Sequence, residues 1–577
     1  MLAKVSEQRM HAVRWVLILA WGLLILSLFY DPISPGLTDP NHGWSFLKDH
    51  TLEMAQDPSR CIKVQDACVP LASSYAIGAR IFWGMVVPCG IFIVFVFGHE
   101  TWRRICPLYF FSQIPRALGI PPRTSITSFP WLERNHLYLQ FGLFFLGLNG
   151  RILLVNSVRP ILGSFLVLTL LSSAGVVWLL GGRSWCHYVC PFGMVQTVFT
   201  GPRGLLDSQA HRSVPKSLTQ SMCRTVERTV EKTVDGAVDG LGKVASKEKS
   251  ACISCKASCM DIDSEKAYWD HLQKPGRRLV QYGYLGLVVG YFLYYRFYAG
   301  NFDYYFSGVW SHELGALENL WKPGLYWFGT ALPMPKVVAA PWVLAGFAIA
   351  TFYGGTQLEK RYRGYLKQDF PHLGPEQSQH RLFSICTFLA FNIFFIYGGR
   401  PEINRWPLAC QFAFQTVVAC VSAIWLYRTW QRSPEQYLRE SLADKLKRQL
   451  AKLPAELLTP LISCSIDQLS ADEIYVLAKT LPHTAQYNRQ KLYQGVLQET
   501  LAAEQVNSAN SLMRLHYLQQ QLEITPQQHY DLLAELNSQA TGVPQSIHPI
   551  SPPLPRTALR QGSPQQRTLM RGEKDSP

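Results

Sequence analysis

The chain has 577 residues and a formal net charge of +15, from 55 Lys and Arg against 40 Asp and Glu. Charged residues make up only 16%, below the roughly 25% usual for soluble proteins, and aromatics reach 12%. This balance excludes an ordinary soluble domain and points to a membrane protein. The positive charge fits loops beside anionic lipid rather than a nucleic-acid surface, because Lys and Arg gather between apolar segments.

In chain order, eight apolar segments have the length a bilayer requires: Val13–Tyr30, Ile81–Gly98, Leu137–Val155, Ile161–Leu180, Leu279–Phe297, Val337–Tyr353, Leu382–Tyr397 and Trp406–Leu426. The predicted fold is mainly α, a polytopic helical membrane protein. The first segment ends in Asp31-Pro32 without a small-residue cleavage site, so it reads as a membrane span rather than a signal peptide. The third is interrupted by Gln140, Asn149 and Arg151, and Arg151 is expected at the outer surface.

Orientation follows from the basic residues. The connections 99–136, 181–278 and 354–381 are rich in them, including Arg103, Arg104 and Arg183, whereas the loop after the first span carries Asp31, Asp39, Asp49, Glu53, Asp57 and Asp66. Both termini are therefore expected in the cytoplasm, with the protein in the inner membrane. The outer loop 298–336 holds Tyr304, Tyr305, Phe306, Trp310, Trp321, Tyr326 and Trp327. It reads as an interfacial aromatic belt, with a quinone-head pocket at His312 and Glu313 as the alternative.

The organisation expected is residues 1–182 as four spans with a Cys-Pro loop, 183–278 as a cytoplasmic segment that binds a metal or cluster, and 279–427 as four further spans. Residues 428–540 then form a helical domain and 541–577 a disordered tail rich in Pro, Ser, Gln and Arg. Within 223–250, Val226, Val230, Val234 and Val238 recur every four residues, predicting a short amphipathic helix. In the tail domain, Ser433-Pro434-Glu435-Gln436, Ser470-Ala471-Asp472-Glu473 and Thr525-Pro526-Gln527-Gln528 are helix starts. Leu438, Leu442, Leu446 and Leu450 form one apolar stripe.

The 14 cysteines separate by location. Cys61 and Cys68, in the acidic outer loop, suit a disulfide better than a ligand pair. Cys89, Cys386, Cys410 and Cys420 fall within spans, where a thiol behaves as a small apolar group. The chemically informative set is Cys186-x3-Cys190-Pro191, directly after the fourth span, and Cys252-x2-Cys255-x3-Cys259. Cys-x2-Cys spacing lets two sulfurs reach one centre, and a Cys-Pro elsewhere in the chain matches the ferredoxin-type pattern of a [4Fe–4S] cluster. Zinc suits four thiolates too, but usually as two close Cys pairs in one compact module. An imperfect repeat adds Cys106-Pro107 after the second span; aligned on the Cys-Pro, Cys106 matches Cys190 and Trp102 stands opposite Cys186. His99, His136 and His187 lie near span ends and read as solvated polar groups.

Over residues 80–260, and most specifically in Arg183-x2-Cys186-x3-Cys190-Pro191-Phe192-Gly193, the chain resembles the membrane-bound polyferredoxins related to NapH and NosR, and more distantly a copper-reducing assembly factor of cytochrome oxidase. The resemblance implies [4Fe–4S] clusters held by Cys106, Cys186, Cys190, Cys252, Cys255 and Cys259. It also implies electron transfer between a cytoplasmic donor and a membrane acceptor such as quinone or a redox partner protein. The chain departs from the pattern at Trp102, at Met260 after Cys259, and in having a single ferredoxin-type run. Six thiols cannot supply the eight that two clusters need, so one complete cluster is expected. A redox sensor acting through the C-terminal helical domain is the alternative.

Overall fold

The computed structural model describes residues 7–39, 42–44, 61–65, 67–70, 75–124, 126–206, 224–230, 244–250, 263–311, 315–327, 329–369, 374–404, 406–451, 466, 469–480, 485–502 and 509–541. They fall into two units, Met1–Tyr437 and Leu438–Pro577.

Seven helices of the first unit are long and apolar enough to cross a membrane: Ala12–Phe29, Ile77–His99, Pro130–Val155, Arg159–Leu180, Lys336–Leu366, Pro375–Ile403 and Leu408–Trp430. Their outward faces are apolar, as at Leu19, Leu168 and Phe412, which is the arrangement lipid requires. The remaining predicted segment is also helical, a π-turn at Leu279–Gly283 continuing into Tyr284–Ala299. It is less apolar because Tyr282, Tyr284, Tyr291, Tyr294, Tyr295 and Tyr298 line it, and all six are buried. Within Tyr284–Ala299 only a stripe through Leu285, Val289, Leu293, Arg296 and Phe297 is partly exposed, so the helix is mostly a core element, packed against the helices Lys336–Asp369 and Pro375–Gly398.

Three sequence expectations are corrected. Residues 224–230 and 244–250 form an antiparallel pair of strands, Val226 opposite Glu248 and Val230 opposite Val244, where a helix was predicted. A spacing of four residues is even, so it satisfies the period of a strand as well as that of a helix, and Thr and Val favour the strand. The outer aromatics are not all a belt. Tyr304, Tyr305 and Trp310 are buried, with Tyr305 and Trp310 stacked at 5.5 Å, whereas Trp321 and Trp327 stay on the surface. His312 and Glu313 lie outside the described residues. Arg151 is half-buried rather than at the surface, with its guanidinium over the rings of Trp83 and Tyr291 and bonded to Asn156. Cation–π contact replaces the water it would otherwise need. Cys61 and Cys68 form the disulfide, joining the hairpin Cys61–Val64 and Ala67–Pro70.

In the second unit, Leu442, Leu446 and Leu450 of the predicted stripe are buried among Ile474, Tyr493, Val496 and Leu518. The capping boxes form as the sequence implies. The Ser470 N–H donates to Glu473 at 2.7 Å, and the Thr525 N–H donates to Gln528 at 2.9 Å.

Candidate iron–sulfur site

Each Cys-Pro loop begins with a broken helix. The helix Val87–Ile105 is interrupted at Gly98, with φ 74° and ψ −178°. The helix Arg159–Leu180 ends at Gly181, with φ 73° and ψ 179°. Only glycine takes this backbone without strain. Carbonyls freed by the first break are satisfied by the turn after the second Cys-Pro helix: the Leu205 N–H donates to Phe95 at 3.1 Å and that of Leu206 to Val96 at 2.6 Å.

From each glycine the chain runs four residues to a tryptophan, Trp102 or Trp185. In the first copy the Cys106 N–H then closes on the Trp102 carbonyl at 2.9 Å, an α-turn; in the second the Cys190 N–H closes on the Trp185 carbonyl at 2.7 Å, a π-turn over Trp185–Val189. Trp102 therefore corresponds to Trp185, and not to Cys186 as alignment on the Cys-Pro alone implied. The second copy holds one extra residue in its turn, a device common at functional sites. Trp102 packs on Phe192 with ring centroids 4.8 Å apart.

Past the cysteine the copies match again. Cys106 and Cys190 have extended backbones (φ −62°, ψ 117° and φ −56°, ψ 119°), and Pro107 and Pro191 each start a short helix. The Cys106 sulfur accepts backbone N–H bonds from Tyr109 and Leu108, and the Cys190 sulfur from Phe192 and Gly193. Such bonds and the helix N-terminus favour a thiolate. Burial opposes them: it pushes the Cys190 thiol up to about 12, with the neighbouring Cys106 adding to the rise. Cys106 is raised by burial also, and the nearby Arg183 works against the rise. A metal ion displaces a thiol proton even where burial disfavours the thiolate, and the backbone N–H donors at both sulfurs suit a metal-bound thiolate. Cys186 faces elsewhere, onto a cavity of about 80 Å³ that it shares with Gln140, Gln196 and several basic residues.

Among the described residues no three His, Cys, Asp or Glu side chains converge as a metal site. Cys252, Cys255 and Cys259 lie outside them. The chain resumes at Asp263, whose side chain caps the helix Ser264–His271. Glu265 of that helix is 1% exposed and is held by Arg203 at 2.8 Å and Arg432 at 2.7 Å, tying this helix to the ends of two other elements. No motif announces Glu265; only its place six residues beyond Cys259 could have suggested a role.

Arg103, Arg104 and Arg183 are buried, at 2%, 3% and 4% exposure, and Arg183 lies over the Tyr109 ring at 4.4 Å. One further expectation fails here. His99, His136 and His187 are not solvated singly but line the Cys186 cavity together.

Seven apolar helices suit a multi-pass membrane protein, and the two Cys-Pro loops follow directly on two of them. Residues 164–207, which include Cys186 and Cys190, match the family described as a 4Fe-4S binding domain, and the cofactor this supports is a [4Fe–4S] cluster. No curated protein and no solved structure matches the chain.

Proposed function

We propose that this chain is a membrane-bound electron carrier. Its cluster would be held by four thiolates drawn from Cys186, Cys190, Cys252, Cys255 and Cys259, with Cys106 as a sixth candidate, and would pass electrons between a cytoplasmic donor and a membrane acceptor such as a quinone or a partner redox protein. The observation that carries this reading is the pair of Cys-Pro loops, alike in the backbone at the cysteine and in the helix that follows, one of them inside the matched 4Fe-4S domain. A [4Fe–4S] cluster supplies one-electron transfer with little reorganisation. The protein's own part is to hold thiolates in a buried, N–H-rich setting and to exclude water. Cytoplasmic placement of the loops and of both termini rests on the Lys and Arg pattern. Anaerobic purification in detergent, with iron, sulfide and a visible spectrum measured, tests this. The expected sample is brown and bleached by dithionite, and Cys255→Ser abolishes the colour while Cys420→Ser, on an exposed face of the last span, does not. A colourless, zinc-containing sample would overturn the reading.

One observation favours regulation through the C-terminal helices as a second reading. The Tyr437 hydroxyl, at the last residue of the first unit, donates to Asp263 at 2.7 Å, four residues beyond Cys259.

A further inference from the structure

The cavity beside Cys186 measures about 80 Å³. One water takes up roughly 10–15 Å³ on the same scale, so a group the size of several waters fits. Its described walls carry His99, His136, His187, His271, Lys274 and Arg277, and no carboxylate. Leu137 and Ala267 are the aliphatic share, too little for an apolar ligand. Acidic groups act only from outside, Glu133 and Asp270 on Lys274 and Glu265 on Tyr268. Arg277 borders the cavity and is 1% exposed. Its Nη2 donates to the Thr197 carbonyl at 3.3 Å, and its guanidinium lies 5.5 Å from the rings of both Tyr268 and Phe383. Its Nη1 is buried and has no acceptor among the described residues. Burial lowers its pKa to about 10, which still leaves it charged at neutral pH.

A buried guanidinium with a spare N–H, in a chamber walled by cations and histidines, is costly unless negative charge meets it. The cavity also lies level with the ends of spans. His99 closes the span Ile77–His99, and Arg277 stands two residues before the helix Leu279–Ala299. Span ends are where basic pockets meet lipid head groups. We infer that the cavity is an oxyanion site for a phosphate group, with the Arg277 guanidinium and the Lys274 ammonium as its cationic donors. A phospholipid head group and free phosphate share this chemistry. The guanidinium fork and the lysine point charge are the side chains best matched to phosphate oxygens. The inference stands apart from the electron-carrier reading, since it places no cluster in the cavity.

The test is a calorimetric titration of the full-length protein, purified in detergent, with inorganic phosphate at fixed ionic strength. The parent should bind one phosphate per chain. Arg277→Met should weaken binding at least tenfold, as the loss of a charge-assisted hydrogen bond implies, and Lys274→Gln should weaken it by less. Arg361→Gln, on an exposed face of the helix Lys336–Asp369, should change nothing. If Arg277→Met does not fold, Arg277→Lys and Lys274→Gln decide, each expected to bind several-fold more weakly than the parent. Organic phosphorus in the detergent-washed parent separates the two sources. One phospholipid per chain that blocks phosphate until it is stripped, and is lost in the Arg277 variant, makes the ligand a head group. Phosphate binding without retained phospholipid makes it a free oxyanion. A parent that neither retains phospholipid nor binds phosphate, or binding that the variants leave unchanged, would overturn the inference. Iron and sulfide content, which decides the electron-carrier reading, enters none of these outcomes.

Discussion

The backbone N–H of Cys190 reaches the carbonyl of Trp185, five residues back, where its counterpart Cys106 reaches Trp102, four back. One inserted residue thus accounts for the difference between the two turns, and the turn that holds it also holds Cys186. Deleting Tyr188 is expected to restore the α-closure. The chain should still insert and keep its helical circular dichroism, while iron per chain falls at least severalfold. Full iron in the deletion variant would disconnect the π-turn from cluster binding.

Gly193 is the contact point of the same turn. A Cβ there would lie 2.5 Å from the Cys186 carbonyl oxygen and 3.0 Å from Gln140 Nε2. Gly193→Ala is expected to cost about 1–3 kcal/mol, the usual range for overpacking, and to loosen the cluster. Thermal unfolding in detergent and iron retention on gel filtration check this; a variant equal to the parent in both would mean that the turn yields without consequence.

Glu265 anchors the helix Ser264–His271, which lies beyond Cys259 in sequence. Removing one member of a buried charge group costs about 3–5 kcal/mol because its partners are left behind. Glu265→Ala should therefore lower the unfolding midpoint markedly, and Glu265→Gln by less. The same contacts determine where the tail can be cut. A chain ending at Tyr437 retains Arg432 and the bond to Asp263, and should keep its iron. One ending at Trp430 loses both and should not. Equal iron in the two truncations would show that the anchor is dispensable.

His271 makes the cluster-free protein acid-sensitive. Burial first, then the charge of Lys274, lowers its pKa to about 3, with His136 and Arg277 adding to the fall and Asp270 opposing it. A histidine kept neutral by folding contributes stability that is present above its ordinary pKa near 6.5 and is lost as pH falls toward 3. Denaturant midpoints of the cluster-free protein should drop across that window. His271→Asn should flatten the drop, and an identical pH profile in that variant would assign the acid lability to other groups.

Seven of the membrane-crossing segments were legible because lipid imposes length and apolarity on every span. So were the helix caps of the C-terminal unit and the Cys61–Cys68 bridge, since each depends on neighbouring residues. The tyrosine-lined helix Leu279–Ala299 was legible as a helix, but its burial among the others depends on partners distant in sequence. The correspondence of Trp102 with Trp185 was hidden for another reason. A sequence alignment counts residues, whereas the backbone closes hydrogen bonds, and a π-turn absorbs one residue without moving the ends. The cavity was not legible at all: His99, His136, His187 and His271 come from separate elements and share no spacing.

The three arginines buried beside the Cys-Pro turns act at two times in the life of the chain. While the nascent chain is being threaded into the bilayer, Arg103, Arg104 and Arg183 lie within a few residues of span ends, where basic residues resist translocation. Once the helices assemble, the same side chains are enclosed and their charge bears on the thiols, as Arg183 bears on Cys106. A neutral substitution at Arg183 therefore alters biogenesis and the mature site together. The folded protein presents less positive charge at its surface than its formal +15 suggests.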